Sequence, residues 1–340
     1  MKRRFFTILI CISVLFMPLS CSVYRARVAM NSTMQKAEEL PGKYIPEGRL
    51  VETFADCSVP GPSSRRMLVY LPKGYVISTE SYPVFYLNHG ARGNETTWIE
   101  KGRALQITDS LTACGSARPC ILVFTNMNQY RDDEDYGYSR RQSALESVVE
   151  TDGRAESAYM NDVVHHIDSC FRTIPDKEHR AIAGMSMGGL KSMYISARNP
   201  DAFAYVGMFS PLHMAPARHG DHSWFYSHLH DLLETQFEDA PLVYDIETGR
   251  SDLLYPGIRR FCGYLERSGY DFDFNEYPGG HDWDVWQKAF CNFMEQVFLN
   301  MPSLRTLPSS SCGPFLLRHA DPSFFVIAGS IRNPLTDQGC

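Results

Sequence analysis

The sequence predicts an α/β fold, a mainly parallel central sheet covered by helices on both faces. Three observations predict it. Short apolar runs of strand character alternate with amphipathic helical segments from about Arg49 to Leu299, the order that parallel strands with helical crossovers require. No internal repeat or linker interrupts that stretch, so 49–300 reads as one domain. The chain has 340 residues, 44% hydrophobic and 12% aromatic, enough to bury a large single core.

The amino terminus stands apart from that pattern. "MKRR" is cationic, and "FFTILICISVLFMPLS" is apolar but short for a membrane span, the make-up of an export signal over residues 1–21. The signal ends in Pro18-Leu19-Ser20-Cys21. A small residue before Cys resembles the processing site of bacterial lipoproteins, although Pro18 stands where those carry Leu. The expectation is an exported protein, periplasmic or at the cell surface, with Cys21 lipidated and acting as a membrane tether. An ordinary cleaved signal with an incidental Cys is the alternative. Residues 22–48 are polar and punctuated by Pro41 and Pro46, and read as a tether.

The elements then follow in order. "RLVETFA" and "RRMLVYL" flank the Pro/Gly-rich "DCSVPGPSS" and suit an antiparallel pair. "YPVFYLNHG" and "CILVFTN" are buried strands on either side of the helical "GRALQITDSLTA". "AYMNDVVHHIDSCF" is helical, with Met160, Val163, Val164, Ile167 and Phe171 on one face. "HRAIAG" is a strand running into the helix "GGLKSMYISARN". "FAYVGMFS", "APLVYDIETG" and "YDFDFNEYPGG" are further strands, interleaved with helices near Leu229–Phe237, Ile258–Arg267 and Asp284–Leu299. After Met301 the regular pattern stops, and 301–340 reads as an irregular tail rich in Pro, Ser and Gly.

Chemistry enters where "HRAIAGMSMGGLKSMYIS" breaks its apolar run. Gly184-Met185-Ser186-Met187-Gly188 fits G-x-S-x-G between a strand and a helix, the sharp turn that lifts a serine hydroxyl above the sheet in α/β-hydrolases. Ser186 is the candidate nucleophile. The Met187 N–H, at the start of the helix, is aimed where an oxyanion would form. A serine needs a base, and the base an orienting carboxylate, in the chain order Ser, acid, His. "PLVYDIETGRSDLL" supplies the acid: Asp252 in the loop after Gly249 is favoured, with Glu247 in reserve. "NEYPGGHDWDVW" supplies His281 on a loop that opens into a helix. The second oxyanion donor is expected in "YLNHGARGNETTW", with the Ala91 N–H as candidate and His89 shaping the turn.

These pieces resemble the esterase family of α/β-hydrolases that holds the feruloyl and acetyl-xylan esterases of carbohydrate esterase family 1, the enterochelin esterases, S-formylglutathione hydrolases and mycolyltransferases. "RRMLVYLPKGY", "YPVFYLNHG", "HRAIAGMSMGGLKSMYISARNPDAFAYVGMFSP", "ETGRSDLL" and "YPGGHDWDVW" carry the resemblance, over about Arg49 to Leu299. It implies an α/β-hydrolase fold, Ser186, Asp252 and His281 as triad, and Met187 and Ala91 as oxyanion donors. The "HDWDVW" ending and the export signal bring the carbohydrate-esterase branch nearest.

The acidic, Tyr-rich insert "NQYRDDEDYGYSRRQS" departs from the family pattern and follows a strand end, where α/β sheets bind ligands. Tyr130, Tyr136 and Tyr138 there suit stacking on a sugar or aromatic acyl group, or local packing in a solvated loop. Trp98 and Trp283, beside the catalytic loops, are candidate substrate contacts, while Trp286, one helical turn on, is core. "HMAPARHGDHSWFYSHLH", with His213, His219, His222, His228 and His230, lacks zinc-protease spacing and reads as a connection bordering the cleft. His165 and His166 are placed on the surface without a partner. Of ten Cys, Cys114 and Cys120 bracket a short loop that a disulfide could staple.

A net charge of −6 and the lack of a basic stripe disfavour nucleic-acid binding, and nothing calls for a metal or cofactor. The expected function is an exported serine carboxylesterase acting on ester-bearing carbohydrate, cleaving feruloyl or acetyl groups from cell-wall polysaccharide such as xylan. Siderophore esters or small thioesters are the alternative substrates, and a non-catalytic glycan-binding lipoprotein the alternative class.

Overall fold

In the computed structural model, which describes residues 44–58, 64–127, 153–212 and 223–302, eight strands form one sheet in the order β1-β2-β4-β3-β5-β6-β7-β8. The chain enters at β1 (Arg49–Asp56) and returns antiparallel in β2 (Ser64–Leu71). β3 (Val84–Asn88), α1 (Ala104–Cys114) and β4 (Ile121–Thr125) follow, with β4 antiparallel to β2 and parallel to β3. A wide turn at Met160–Val164 leads into α2 (His165–Cys170). β5 (Arg180–Met185), α3 (Met187–Arg198), β6 (Tyr205–Phe209), α4 (Leu229–Glu238), β7 (Val243–Gly249), α5 (Tyr255–Ser268), β8 (Asp273–Tyr277) and α6 (Trp283–Asn300) complete the order. From β4 and β3 through β5 to β8, every neighbouring pair is parallel. This is the α/β-hydrolase fold.

Burial explains the composition of each strand. β3, β4, β5 and β6 are buried at every position, so they read as continuous apolar runs rather than alternating ones. α3 is buried from Met187 to Ala197, which is why its sequence is nearly free of charge. Its one interior cation, Lys191, pairs with Glu156 at 2.9 Å with both side chains out of contact with solvent. A buried charge is tolerated only when paired. Two helices start earlier than their apolar spacing suggests. Pro256 seeds the first turn of α5, and the Asp282 carboxylate caps α6 by accepting from Val285 N–H at 3.1 Å.

Several expectations change or fall outside the described residues. Cys114 and Cys120 do not form a staple: both are free thiols, Cys114 exposed and Cys120 buried where the chain enters β4. His166 is not a partnerless surface residue; its Nε2 meets Thr53 Oγ1 on β1 at 2.8 Å. Residues 1–43, which hold the expected export signal, Cys21 and the expected tether, lie outside the described residues, as do the insert with Tyr130, Tyr136 and Tyr138, His213, His219 and His222, and the tail from 303. The described residues from Pro46 onward belong to one compact unit; of the other, Met1–Ile45, only Tyr44 and Ile45 are described. Among the described residues no helix is long and apolar enough to cross a membrane.

Candidate active site

The turn between β5 and α3 is built by backbone crowding. A methyl group at Gly184 would lie 2.5 Å from the Gly188 carbonyl, and one at Gly188 would strike the Asn88 carbonyl at the end of β3. Only glycine allows these three backbones to meet. Between them Ser186 adopts φ 56° and ψ −119°, a conformation that L side chains rarely hold. Its N–H donates to Phe209 O at 2.8 Å, and its carbonyl accepts from Gly189 and Leu212 N–H. The strained residue is thus held from both sides.

Two loops bring the other groups to it. Beyond β7 and β8 the chains stay zipped: Arg250 N–H donates to Tyr277 O and Ser251 N–H to Gly279 O, both at 2.9 Å. That places Asp252 beside His281. Asp252 Oδ2 lies 2.9 Å and Oδ1 3.1 Å from His281 Nδ1, and His281 Nε2 lies 2.9 Å from Ser186 Oγ. Burial by itself would raise Asp252, but the hydrogen bonds it accepts from His281, Ser210 and Leu254 N–H outweigh it, and the carboxyl titrates below its ordinary range. An ionised Asp252 accepts a hydrogen bond from Nδ1–H and so keeps the ring proton there, which leaves the Nε2 lone pair to accept from the serine hydroxyl. Asp252 has no exposed side-chain surface, whereas His281 keeps 22% of its own, so the imidazole is open to an incoming ester. Trp286 packs edge-on against the His281 ring at 4.9 Å.

The two expected oxyanion donors, Met187 and Ala91, lie on the two turns that meet at Ser186. Met187 is the first residue of α3, and the first N–H groups of a helix have no partner within it. Ala91 follows Gly90, whose Cα is pressed so close to Met185 that a methyl there would lie 2.5 Å from its sulfur. The β3 loop therefore abuts the residue before Ser186.

Trp98 and the reserve acid Glu247 sit away from the cleft. Trp98 is not a wall of the cleft: at 1% exposure it cannot touch a ligand. Its indole N–H donates to Asn88 O at 3.0 Å and its ring packs edge-on against Phe209 and Trp283, bracing the strand end that carries the β3 loop. Trp283 is half-buried and leans on both Trp98 and Trp286. Glu247, the reserve acid, is fully buried in β7 and accepts from Asn292 Nδ2 on α6 and from the Tyr277 hydroxyl. Near the described end of the His-rich stretch, His230 stacks on Tyr264, and no described group of residues could hold a metal ion.

Glu247 has an acidic neighbour, Asp245, on the same strand. Asp245 and Glu247 are two apart in β7 and share a face, and both are fully buried. Burial pushes Asp245 up to about 7 despite its hydrogen bonds to Glu247 and Asn275. Burial, and then the Asp245 charge, push Glu247 well above the carboxylate range. Acids with raised folded-state pKa values bind more protons folded than unfolded. Stability is therefore fully present below the unfolded value near ~4 and is lost as pH climbs through 7 and beyond. Glu247→Gln, isosteric and unable to ionise, is expected to flatten the fall of Tm between about pH 5 and about pH 8. A Tm–pH slope identical to that of the parent chain would contradict the assignment. The clue was in "YDIETG": two acids at period two inside a buried strand.

A parallel-sheet hydrolase fold carrying a serine, a histidine and an aspartate in hydrogen-bonded sequence defines a class, and a family model described as "Putative esterase" matches residues 61–234. The chain belongs to this esterase family. Among individual proteins, it is 38% identical over 236 residues to an endo-1,4-beta-xylanase/feruloyl esterase of Xylanibacter ruminicola, covering 68% of this chain. The match spans only 29% of that longer protein. It is 24% identical over 247 residues to an acetyl esterase of Caldicellulosiruptor saccharolyticus, 64% of this chain and 84% of that one. A solved ferulic acid esterase superposes with TM-score 0.60 at 25% identity, over 76% of this chain and 100% of that one.

Proposed function

We propose that this chain is a serine carboxylesterase that removes feruloyl or acetyl groups from plant cell-wall polysaccharide such as xylan. The observation that carries the reading is the unbroken hydrogen-bonded run Ser186 Oγ, His281, Asp252 at 2.9 Å on either side of the imidazole. In it, Ser186 Oγ attacks the ester carbonyl while His281 Nε2 takes its proton and Asp252 steadies the resulting imidazolium. The carbonyl oxygen becomes an oxyanion facing the N–H groups of Met187 and Ala91. His281 returns the proton to the departing sugar oxygen, leaving an acyl-Ser186 ester. Water, deprotonated by His281, then releases the acid and restores the hydroxyl.

The choice of acyl group and glycan rests on relatives whose names include feruloyl esterase, acetyl esterase and xylanase. Trp283, half-buried near His281, offers an aromatic face for a ferulate ring or sugar. The amino-terminal sequence supports export, with Cys21 as the anchoring residue. The test is a comparison of initial rates for the purified protein on methyl ferulate, acetylated xylan and a tricatechol siderophore ester, with fluorophosphonate labelling read by peptide mass. Fastest turnover on the first or second and a label on Ser186 are expected. Preference for the siderophore ester would overturn the substrate class, and an unlabelled Ser186 would overturn the chemistry.

A further inference from the structure

We propose that His89 is a positioning residue whose imidazole, strung between the Gly90 carbonyl and the Met127 N–H, orients the Ala91 N–H as an oxyanion donor. The inference deepens the esterase reading above and rests on it.

The loop after β3 is a tight turn. Gly93 N–H donates to Gly90 O at 3.1 Å, and Arg92 has φ +62° while Ala91 does not have a positive φ. These features define a type II turn with Ala91 at its second position. Gly90 O also faces His89 Nδ1 at 2.7 Å, so this carbonyl is held by two donors. The Gly90 C=O and the Ala91 N–H belong to one trans peptide plane and point in opposite directions. Pinning the carbonyl therefore aims the N–H away from it.

The ring can serve only in this way. Met127 N–H meets His89 Nε2 at 3.0 Å and can only donate, so Nε2 accepts and the single ring proton sits on Nδ1. One tautomer satisfies both contacts. At 1% exposure the ring has no water to turn toward, and burial lowers it to about 4, so it stays neutral. Both nitrogens are spent on backbone, which removes His89 as a second base. The far end is anchored as well. Lys191 Nζ donates to Met127 O at 3.2 Å and pairs with Glu156. An unbroken buried line thus runs from Glu156 through Lys191, Met127 and His89 to the peptide that carries the Ala91 N–H. A spacer filling the same volume could be any apolar side chain; a ring with both nitrogens bonded to backbone sets an angle.

The experiment uses the full chain and the variants His89→Asn, Ala91→Pro and their combination. Asparagine keeps a short amide near Gly90 O but cannot reach Met127. Proline suits the second position of a type II turn and deletes the N–H. Ala91→Pro is expected to lower kcat on p-nitrophenyl acetate by roughly 100- to 1000-fold, and His89→Asn by roughly 10- to 100-fold through misaiming, with KM nearly unchanged in both. The combination is expected to match Ala91→Pro alone, because a misaimed donor that is already absent cannot be lost again. Losses that multiply, or an unchanged kcat in His89→Asn, would overturn the inference. A second readout does not depend on turnover: nitrogen-15 NMR of the histidine rings should find His89 protonated on Nδ1, and protonation on Nε2 would sink the idea even if the variants misfold. If the unsubstituted chain hydrolyses no ester, the esterase reading fails by itself, and the ring tautomer still decides whether His89 holds this loop.

Discussion

Ser186→Ala is expected to lose essentially all ester hydrolysis, a fall on the order of 10⁶ in kcat if the residual rate reflects binding and oxyanion stabilisation alone. The hydroxyl is the only group at the turn that can bond to the ester carbon, and His281 Nε2 at 2.9 Å has no other proton to collect there. Circular dichroism and Tm should stay near those of the parent, since the methyl side chain fits the same backbone. Ser186→Gly sharpens the point. It removes the same hydroxyl but also relieves φ 56°, ψ −119°, a strain worth roughly 1–3 kcal/mol. The added freedom of glycine in the unfolded chain offsets about 0.5–1 kcal/mol of that. The net gain should raise Tm by a few degrees over Ser186→Ala, about 2–4 °C per kcal/mol for a domain of this size. An inactive but more heat-stable glycine variant would show strain held for the sake of the nucleophile. Hydrolysis surviving in either variant would rule out Ser186.

Asp252→Asn should be nearly as damaging, with kcat down by roughly 10⁴ while the fold persists. The carboxylate now accepts the Nδ1 proton of His281 at 2.9 Å. An amide nitrogen in its place would donate to Nδ1 instead and drive the ring proton to Nε2. His281 would then offer Ser186 a donor where it needs an acceptor, and the chain of proton transfer would stop. Glu247→Gln is the matched control. That carboxyl is bonded to Asn292 and Tyr277, so its replacement should leave kcat within about threefold while altering the pH dependence of Tm. Stopped-flow rates and thermal melts on the two variants separate the acids. If Glu247→Gln were the one to abolish turnover, the assignment of Asp252 would have to be reversed.

Much of the architecture could be read from local pattern. The inner strands β3 to β6 correspond to continuous apolar runs, because a parallel sheet covered on both faces needs them, whereas the edge strands β1 and β8 mix polar with apolar residues and are only partly buried. The elbow was legible because its glycines are demanded by backbone contacts within a few residues and with the end of β3. The misreadings share one cause. Trp98 stands beside a catalytic loop in sequence, yet its indole turns inward to Asn88. His166 reads as a surface residue in sequence, yet Thr53 meets its ring from β1, 113 residues away. Cys114 and Cys120 are close along the chain, but one faces water and the other the core.

Residue pattern alone established the α/β order, the strand–turn–helix around Ser186, and the chain order of nucleophile, acid and base, since hydrophobic period and turn chemistry act over a few residues. Which carboxylate serves His281, which tryptophan meets solvent and which ring nitrogen of His89 carries the proton were settled only by folding. Those outcomes depend on groups as far apart as the 95 residues between Ser186 and His281, and on burial and hydrogen bonds that exist only once the sheet has assembled.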